Sequence, residues 1–326
     1  MTRKKIVLIG TGGTIAGKAS SAADLIGYTS GVLSLEDIIA SVPDIKSYGP
    51  FEYIQFSNME SSDIMPDTWL SLAQLVESVV EKDDVAGVII THGTDSMEET
   101  AYFLHLTVHT RKPIVITGAM RPAGSISADG PLNLLYAAQL VRTEDSAAKG
   151  VLVALNGYID SARDVTKMNT TNVDTFGNSV FGHMGIIQNG KAYFYYTSTK
   201  KHTYESQFFA RQIHSLPNVA IAYCYAGIDP QLLQAILSTR PEGLILVGLG
   251  HGTIPEQIYR ITKGLSIPVV RASRTHGGMV SSLGTDRFGN YLVCGTLNPM
   301  KARILLMLAL TKTTDRERIG TWFEEY

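Results

Sequence analysis

The stretch that most constrains this chain is Ile6-Val7-Leu8-Ile9-Gly10 running into Thr11-Gly12-Gly13-Thr14-Ile15-Ala16-Gly17-Lys18. Four consecutive apolar residues predict a buried parallel strand, and the glycines behind them break it abruptly. Gly12 and Gly13 can turn the chain through positive φ, and they leave room for a small molecule against the backbone. Thr14 then stands where a hydroxyl faces the crevice beyond the strand's carboxyl end, where open α/β sheets place their ligands. Phosphate binding fits this loop poorly. Gly12 to Lys18 has the spacing of a P-loop, but Ala19 occupies the position that needs Ser or Thr for Mg²⁺. Gly10-Thr11-Gly12 opens a dinucleotide fingerprint, yet Ile15 replaces its third glycine.

Downstream the pattern is strand, loop, helix, repeatedly. Buried strands are predicted at 6–9, 85–90, 114–117 and 151–155, with helical periods at 35–40, 68–80, 98–108 and 131–141. That alternation predicts an α/β fold whose larger N-terminal domain (1–196) holds a mainly parallel sheet flanked by helices. Residues 181–196 are rich in Tyr and Phe, with Gly190 at the turn of an antiparallel hairpin. A polar stretch without apolar period, 197–217, reads as a linker. A smaller C-terminal α/β domain (218–326) follows, with strands near 219–225, 244–247, 268–271 and 291–293 and helices at 230–237, 255–263 and 299–311.

Composition narrows the partners. The 326 residues, 44% of them hydrophobic, suffice for one large α/β unit or two domains. A net charge of −2 provides no basic field to draw nucleic acid or anionic lipid. No apolar run approaches the ~18 residues of a membrane span. Met1-Thr2-Arg3-Lys4-Lys5 before residues 6–9 imitates a signal peptide, but the apolar core is too short and no cleavage pattern follows. The expected location is cytoplasmic, or periplasmic or secreted for a mature chain whose leader was removed. Cys224 and Cys294 lie in apolar contexts and read as buried thiols rather than a disulfide. No metal-ligand spacing appears: His105 and His109 are i,i+4, but Leu106 stands where a zincin needs Glu, so both read as helix-surface or interface residues.

Two further stretches carry chemistry. Val88-Ile89-Ile90 runs into Thr91-His92-Gly93-Thr94-Asp95-Ser96-Met97-Glu98, again a buried strand ending in a polar, glycine-containing loop. It should open on the same side as the Thr14 loop. Asp95 and Glu98 have the spacing of a capping box, but a cap alone does not call for Thr91, His92 and Thr94. A carboxylate beside a hydroxyl at a helix N-terminus can grip an ammonium group while the helix amides hold an anion. The other stretch is 161–170, where Lys167 can lower a neighbouring hydroxyl's pKa or accept a proton once desolvated. Thr14, Thr94, Asp95 and Lys167 together supply a nucleophile, a second hydroxyl, a carboxylate and an amine. That set suits acyl transfer from an amide with no metal or cofactor.

Thr11-Gly12-Gly13-Thr14-Ile15-Ala16-Gly17 and Thr91-His92-Gly93-Thr94-Asp95 resemble the two signature motifs of bacterial-type L-asparaginases. Further matches are Ala119-Met120-Arg121-Pro122 with Ser127-Ala128-Asp129-Gly130-Pro131, Asp164-Val165-Thr166-Lys167, and Gly295-Thr296-Leu297-Asn298-Pro299 with Lys301-Ala302-Arg303. They span the chain, and the pattern, including Ser57-Asn58-Met59, is most similar to the type II and glutaminase-asparaginase branch. The resemblance implies hydrolysis of L-asparagine to L-aspartate and ammonia, with L-glutamine as a slower or comparable substrate. It implies a homotetramer of intimate dimers, each site lying between the large domain of one subunit and the small domain of its partner. By position, Thr14 is then the nucleophile, Tyr28 a lid residue that polarises it, and Thr94 with Lys167 the second hydroxyl–amine pair. Asp95 binds the substrate's α-ammonium, Ser61 its α-carboxylate, and Thr253 is supplied by the partner; which group takes each proton stays open.

The chain departs from the family pattern in two places. Ser62 stands where Gln or Glu is frequent, and it is too short to reach the α-amino group without a water. The segment 283–288 contains no counterpart of the partner-supplied glutamate of many type II members, and Asp286 is the carboxylate available there. Two other readings compete. A tRNA-linked amidotransferase subunit shares the motifs but is expected to carry an added N-terminal region. A non-catalytic amino-acid sensor would need no activated nucleophile.

Overall fold

A computed structural model of the chain describes residues 3–25, 27–29, 32–284 and 286–326, without the side chains of Tyr28, Thr29, Pro43, Arg287 and Phe288. The chain divides into two compact units, one ending at Arg211 and the other covering Gln212–Tyr326. In the first, β1 (Lys5–Gly12), β2 (Phe51–Met59), β3 (Val85–Thr91), β4 (Ile114–Thr117), β5 (Val151–Leu155), β6 (Tyr158–Ser161), β7 (Gly185–Gln188) and β8 (Lys191–Phe194) form a sheet. Among the described residues it is eight-stranded, in the order β8-β7-β6-β5-β4-β3-β1-β2. Strands β2, β1, β3, β4 and β5 run parallel. From β6 onward each strand is antiparallel to its neighbour.

Helices α1 (Leu35–Ala40), α2 (Pro66–Val80), α3 (Met97–Thr107) and α4 (Gly130–Arg142) cover the sheet. Alternation along the strands decides what meets what. Ile6, Leu8, Ile89, Val115 and Leu152 pack with Leu35, Ile38 and Ile39 of α1 and Leu134 and Ala137 of α4. The intervening Val7, Ile9, Val88 and Ile90 are equally buried, so these strands read as unbroken apolar runs. On α2 and α3 the Trp69 and Phe103 rings stack at 5.7 Å. Trp69 Nε1 donates to Thr100 Oγ1 at 3.0 Å, which satisfies the indole's one polar group.

Several elements had no strong signal. β2 is an edge strand whose residues are only partly covered, Glu52, Gln55 and Asn58 among them, so no apolar run announces it. The hairpin turn is Asn189-Gly190, at φ 51° and 75°, which is the left-handed pair that a two-residue connection between twisted strands requires. His105 is not a surface residue: it is 1% exposed, and Nδ1 accepts from Val151 N at 3.1 Å. Because α3 is buried nearly all round, its polar ring is absorbed as a neutral acceptor inside the core. His109 lies past the helix end, stacked on Phe209 at 3.7 Å. Of the stretch 197–217, the part up to Arg211 belongs to the first unit, with His202, Phe208 and Ala210 buried.

The second unit carries β9 (Val219–Tyr223), β10 (Gly243–Gly248), β11 (Val269–Ser273) and β12 (Tyr291–Val293) in a parallel sheet of that order. Its helices include α5 (Pro230–Ser238), α6 (Glu256–Thr262), α7 (Pro299–Leu310) and α8 (Arg316–Glu325). The last has a polar sequence that hides it. Only Ile319, Trp322 and Phe323 are buried, at i, i+3 and i+4, and Asp315 caps its start. Cys224 and Cys294 are buried free thiols, as their contexts predict. Among the described residues no helix is long and apolar enough to cross a membrane.

The Trp69 packing yields a test of the first unit's core. Trp69→Ala should cost about 3–5 kcal/mol, read as the urea midpoint, whereas Trp69→Phe should cost less because the stack on Phe103 survives.

Candidate active site

The chain leaves β1 toward β2 on one side, and leaves β3 toward β4 on the other. This reversal of strand order opens a crevice at the carboxyl ends of β1 and β3, the switch point of an open parallel sheet. Gly12 (φ 109°) and Gly13 (φ 81°) turn the chain out of β1. The single turn Thr14–Ala16 follows, closed by Gly17 N–H to Thr14 O at 2.9 Å. Gly13 is needed for space as well as conformation: a Cβ there would fall 2.3 Å from Gly93 Cα and 2.4 Å from its nitrogen. A Cβ on Gly93 would in turn meet Ser61 Oγ at 2.6 Å. The loops after β1 and β3 therefore touch through bare backbone, and Ser61 of the loop after β2 packs against Gly93. Thr11 Oγ1 donates to Thr91 O at 2.9 Å and Ser57 Oγ to Thr11 O at 2.8 Å, stitching together the strand ends from which these loops leave.

Lys167 joins this crevice from far along the chain. It sits in a two-residue strand, Thr166–Lys167, paired with Phe176–Gly177, rather than in a plain loop after β5, because the antiparallel β6 intervenes. Its Nζ donates to Thr94 Oγ1 at 2.9 Å and meets Asp95 Oδ1 at 2.6 Å. The Asp95 side chain is 69% exposed, so the ion pair stabilises the fold by less than ~1 kcal/mol. Its value is geometric. The capping box expected of Asp95 and Glu98 does not form. α3 begins at Met97 after Ser96, Asp95 turns its carboxylate to Lys167, and Glu98 Oε2 accepts Lys167 N at 2.7 Å. From the sequence Glu98 has only a capping role, since nothing local signals a bond across 69 positions.

The other predicted residues fall as follows. Thr14 is 6% exposed, directly after the Gly13–Gly93 contact. Ser61 is buried: its Oγ accepts from Asp95 N at 3.1 Å and its carbonyl from Ser96 Oγ at 2.5 Å. Ser62 is exposed in the same short turn, Ser61–Asp63. Tyr28 pairs through its backbone with Ala19, and its side chain lies outside the described residues. Thr253 is exposed in the second unit, on a loop closed by Thr253 N to Leu249 O at 2.7 Å. Asp286 is no spare carboxylate. Buried, it receives Arg271 Nε at 2.9 Å and Nη2 at 2.8 Å, and also the Leu283 amide.

His92 lies just beneath the site. It is fully buried, Nδ1 meets Gly93 O at 2.6 Å, and desolvation of the cation pushes its pKa down to about 4. The imidazole is therefore neutral at physiological pH and holds the loop without contributing charge.

A crevice at a parallel-sheet switch point, lined by buried hydroxyls and one amine–carboxylate pair, defines an α/β enzyme of the amide-hydrolysing kind. The family model for the N-terminal asparaginase domain matches residues 5–200, and that for the glutaminase/asparaginase C-terminal domain matches 218–323. The "Probable L-asparaginase periplasmic" of Haemophilus influenzae is 40% identical, covering 98% of this chain and 93% of the relative. The "Glutaminase-asparaginase" of Pseudomonas fluorescens biotype A is 37% identical over 98% of this chain and 90% of its own length. The crystal structure of the "Probable Cytoplasmic L-asparaginase" from Campylobacter jejuni superposes with a TM-score of 0.95 at 40% identity, covering 99% of this chain and all of that one. The chain belongs to the asparaginase family.

Burial of His92 sets a pH dependence. The unfolded chain takes up a proton near pH 6.5, whereas the folded one resists until about 4. More protons are bound by the unfolded state in that window, so stability falls as pH drops through it, by up to about 3 kcal/mol from this residue. Urea midpoints measured from pH 7 to 4 should show a shallower acid loss in His92→Gln than in the wild type. Parallel curves would remove His92 as a contributor.

Proposed function

We propose that this chain hydrolyses the side-chain amide of L-asparagine to L-aspartate and ammonia, and accepts L-glutamine as a second substrate, through an ester on Thr14. Membership in the asparaginase family supplies the reaction. The observation that carries the site assignment is the Lys167 amine, held between Thr94 Oγ1 and Asp95 Oδ1 beside the loop that bears Thr14.

Thr14 Oγ attacks the amide carbon. The C–N bond breaks as nitrogen takes a proton and leaves as ammonia, and water then cleaves the Thr14 ester, restoring the hydroxyl. Because Lys167 donates into Thr94 Oγ1, the Thr94 hydrogen is left for a group in the crevice. The amine's positive charge favours negative charge developing on Thr94 or on a water it orients. Asp95 uses Oδ1 for Lys167 and keeps Oδ2 for the substrate's α-ammonium. Ser61 Oγ accepts from Asp95 N, so its own hydrogen is left to donate to the α-carboxylate. Ser62, short and exposed, reaches the α-amino group through water. Tyr28 lies on the ribbon that follows the Thr14 loop and acts as the lid residue that polarises the nucleophile.

Thr253 enters the site from the second unit of a neighbouring copy, in a homotetramer built as a dimer of intimate dimers. With Asp286 committed to Arg271, the segment 283–288 leaves no carboxylate for the α-ammonium, and Asp95 carries that contact. Grip on the α-ammonium is weaker by ~1–3 kcal/mol than with a second carboxylate.

Ammonia release measured side by side from L-asparagine and L-glutamine, from micromolar to tens of millimolar, should show turnover of both, with asparagine the faster or comparable. Release from neither would leave an amino-acid sensor. Thr14→Ala should lower kcat by at least ~10³-fold while L-aspartate binding, followed by calorimetry, is retained. Substantial residual turnover would remove Thr14 as the nucleophile.

A further inference from the structure

We propose that Glu98 is a positioning residue for amide hydrolysis: its carboxylate fixes the main chain of Lys167 and so sets the amine against Thr94 and Asp95. The inference rests on the roles given above to Lys167 and Thr94. Lysine reaches through a flexible four-carbon stem. An Nζ held at 2.9 Å from one oxygen and 2.6 Å from another therefore needs its own backbone held first. The local structure of Lys167 is too slight to do that. Its strand is two residues long and pairs with two others, far short of an independently stable ribbon.

Glu98 supplies the missing anchor. Oε2 accepts Lys167 N at 2.7 Å, a charge-assisted bond that is stronger than a neutral one. Glu98 is 5% exposed, so water competes little for the contact. The Asp95 amide, which a capping box would use, donates instead to Ser61 Oγ. Glu98 stands in the first turn of α3, four residues after Thr94 and three after Asp95. One continuous segment therefore presents both acceptors of the amine and the acceptor of the lysine's backbone. Lys167 is referenced to the same rigid body it must act upon, and a shift of α3 carries all three contacts together.

The test is a double-mutant cycle in the full-length protein with Glu98→Ala and Lys167→Met, plus Glu98→Gln as the conservative variant. Glu98→Ala should lower kcat by about 30-fold or more with KM changed less than about fivefold, and should add less than about twofold in the Lys167→Met background. Glu98→Gln keeps an oxygen acceptor at the same place and should recover kcat to within about fivefold of wild type. Equal losses in both backgrounds, or no loss in Glu98→Ala, would overturn the proposal. A second readout does not depend on turnover: amide hydrogen exchange over 164–170 should speed up in Glu98→Ala and return toward wild type in Glu98→Gln. Unchanged exchange in Glu98→Ala would also sink the anchor. A wild-type protein that releases no ammonia would instead refute the proposed reaction, and the exchange result would still decide whether Glu98 holds Lys167.

Discussion

The contact between Gly13 and Gly93 is the constraint on which the site depends. With a Cβ on Gly13 only 2.3 Å from Gly93 Cα, no side chain fits at that junction, and the loops after β1 and β3 meet backbone to backbone. That closeness puts Thr14 and Thr94, each the next residue, on one crevice. It also explains why Gly13 adopts a positive φ: the turn must fold the chain against a neighbour rather than away from it. Ser61, packed against Gly93, closes the third side.

Rigid and movable parts divide the labour. Thr14 and Thr94 stand on loops at the ends of strands buried on both faces, where packing leaves little freedom. The amine arrives on a two-residue ribbon, which has little stability of its own. Placing the charged group on the weakly supported element makes its long-range ties decisive, to Thr94, Asp95 and Glu98. The tie to Asp95 does little for global stability, because that side chain is largely exposed. These ties set geometry, which is what amide hydrolysis requires.

The second unit shows how differently a buried ion pair behaves. Arg271 is almost wholly buried and is satisfied by Asp286 together with the carbonyls of His251 and Ser281. Removing one partner would leave an uncompensated buried charge, so the pair is bound to its structural task. A carboxylate so engaged cannot also serve a ligand, and on that ground Asp286 drops out as a substrate contact.

Much of this was readable along the chain. Strands buried on both faces announce themselves as apolar runs, and glycines placed directly behind them mark where loops must turn, so Thr14, Thr94 and Asp95 could be singled out as site candidates. The edge strand β2 and the polar helix α8 left no such trace, since each buries only part of its surface. His105 looked like a surface residue because its burial comes from β5 and the 202–208 stretch, not from its own helix. The order in which strands lie side by side, which brings Gly13 to Gly93, is a property of the assembled sheet. So is the meeting of Lys167 with Thr94 and of its backbone with Glu98, across 73 and 69 positions. Local pattern fixes which groups stand at the ends of elements; only packing decides which of those ends share a crevice, because contact at such separations has no periodicity to reveal it.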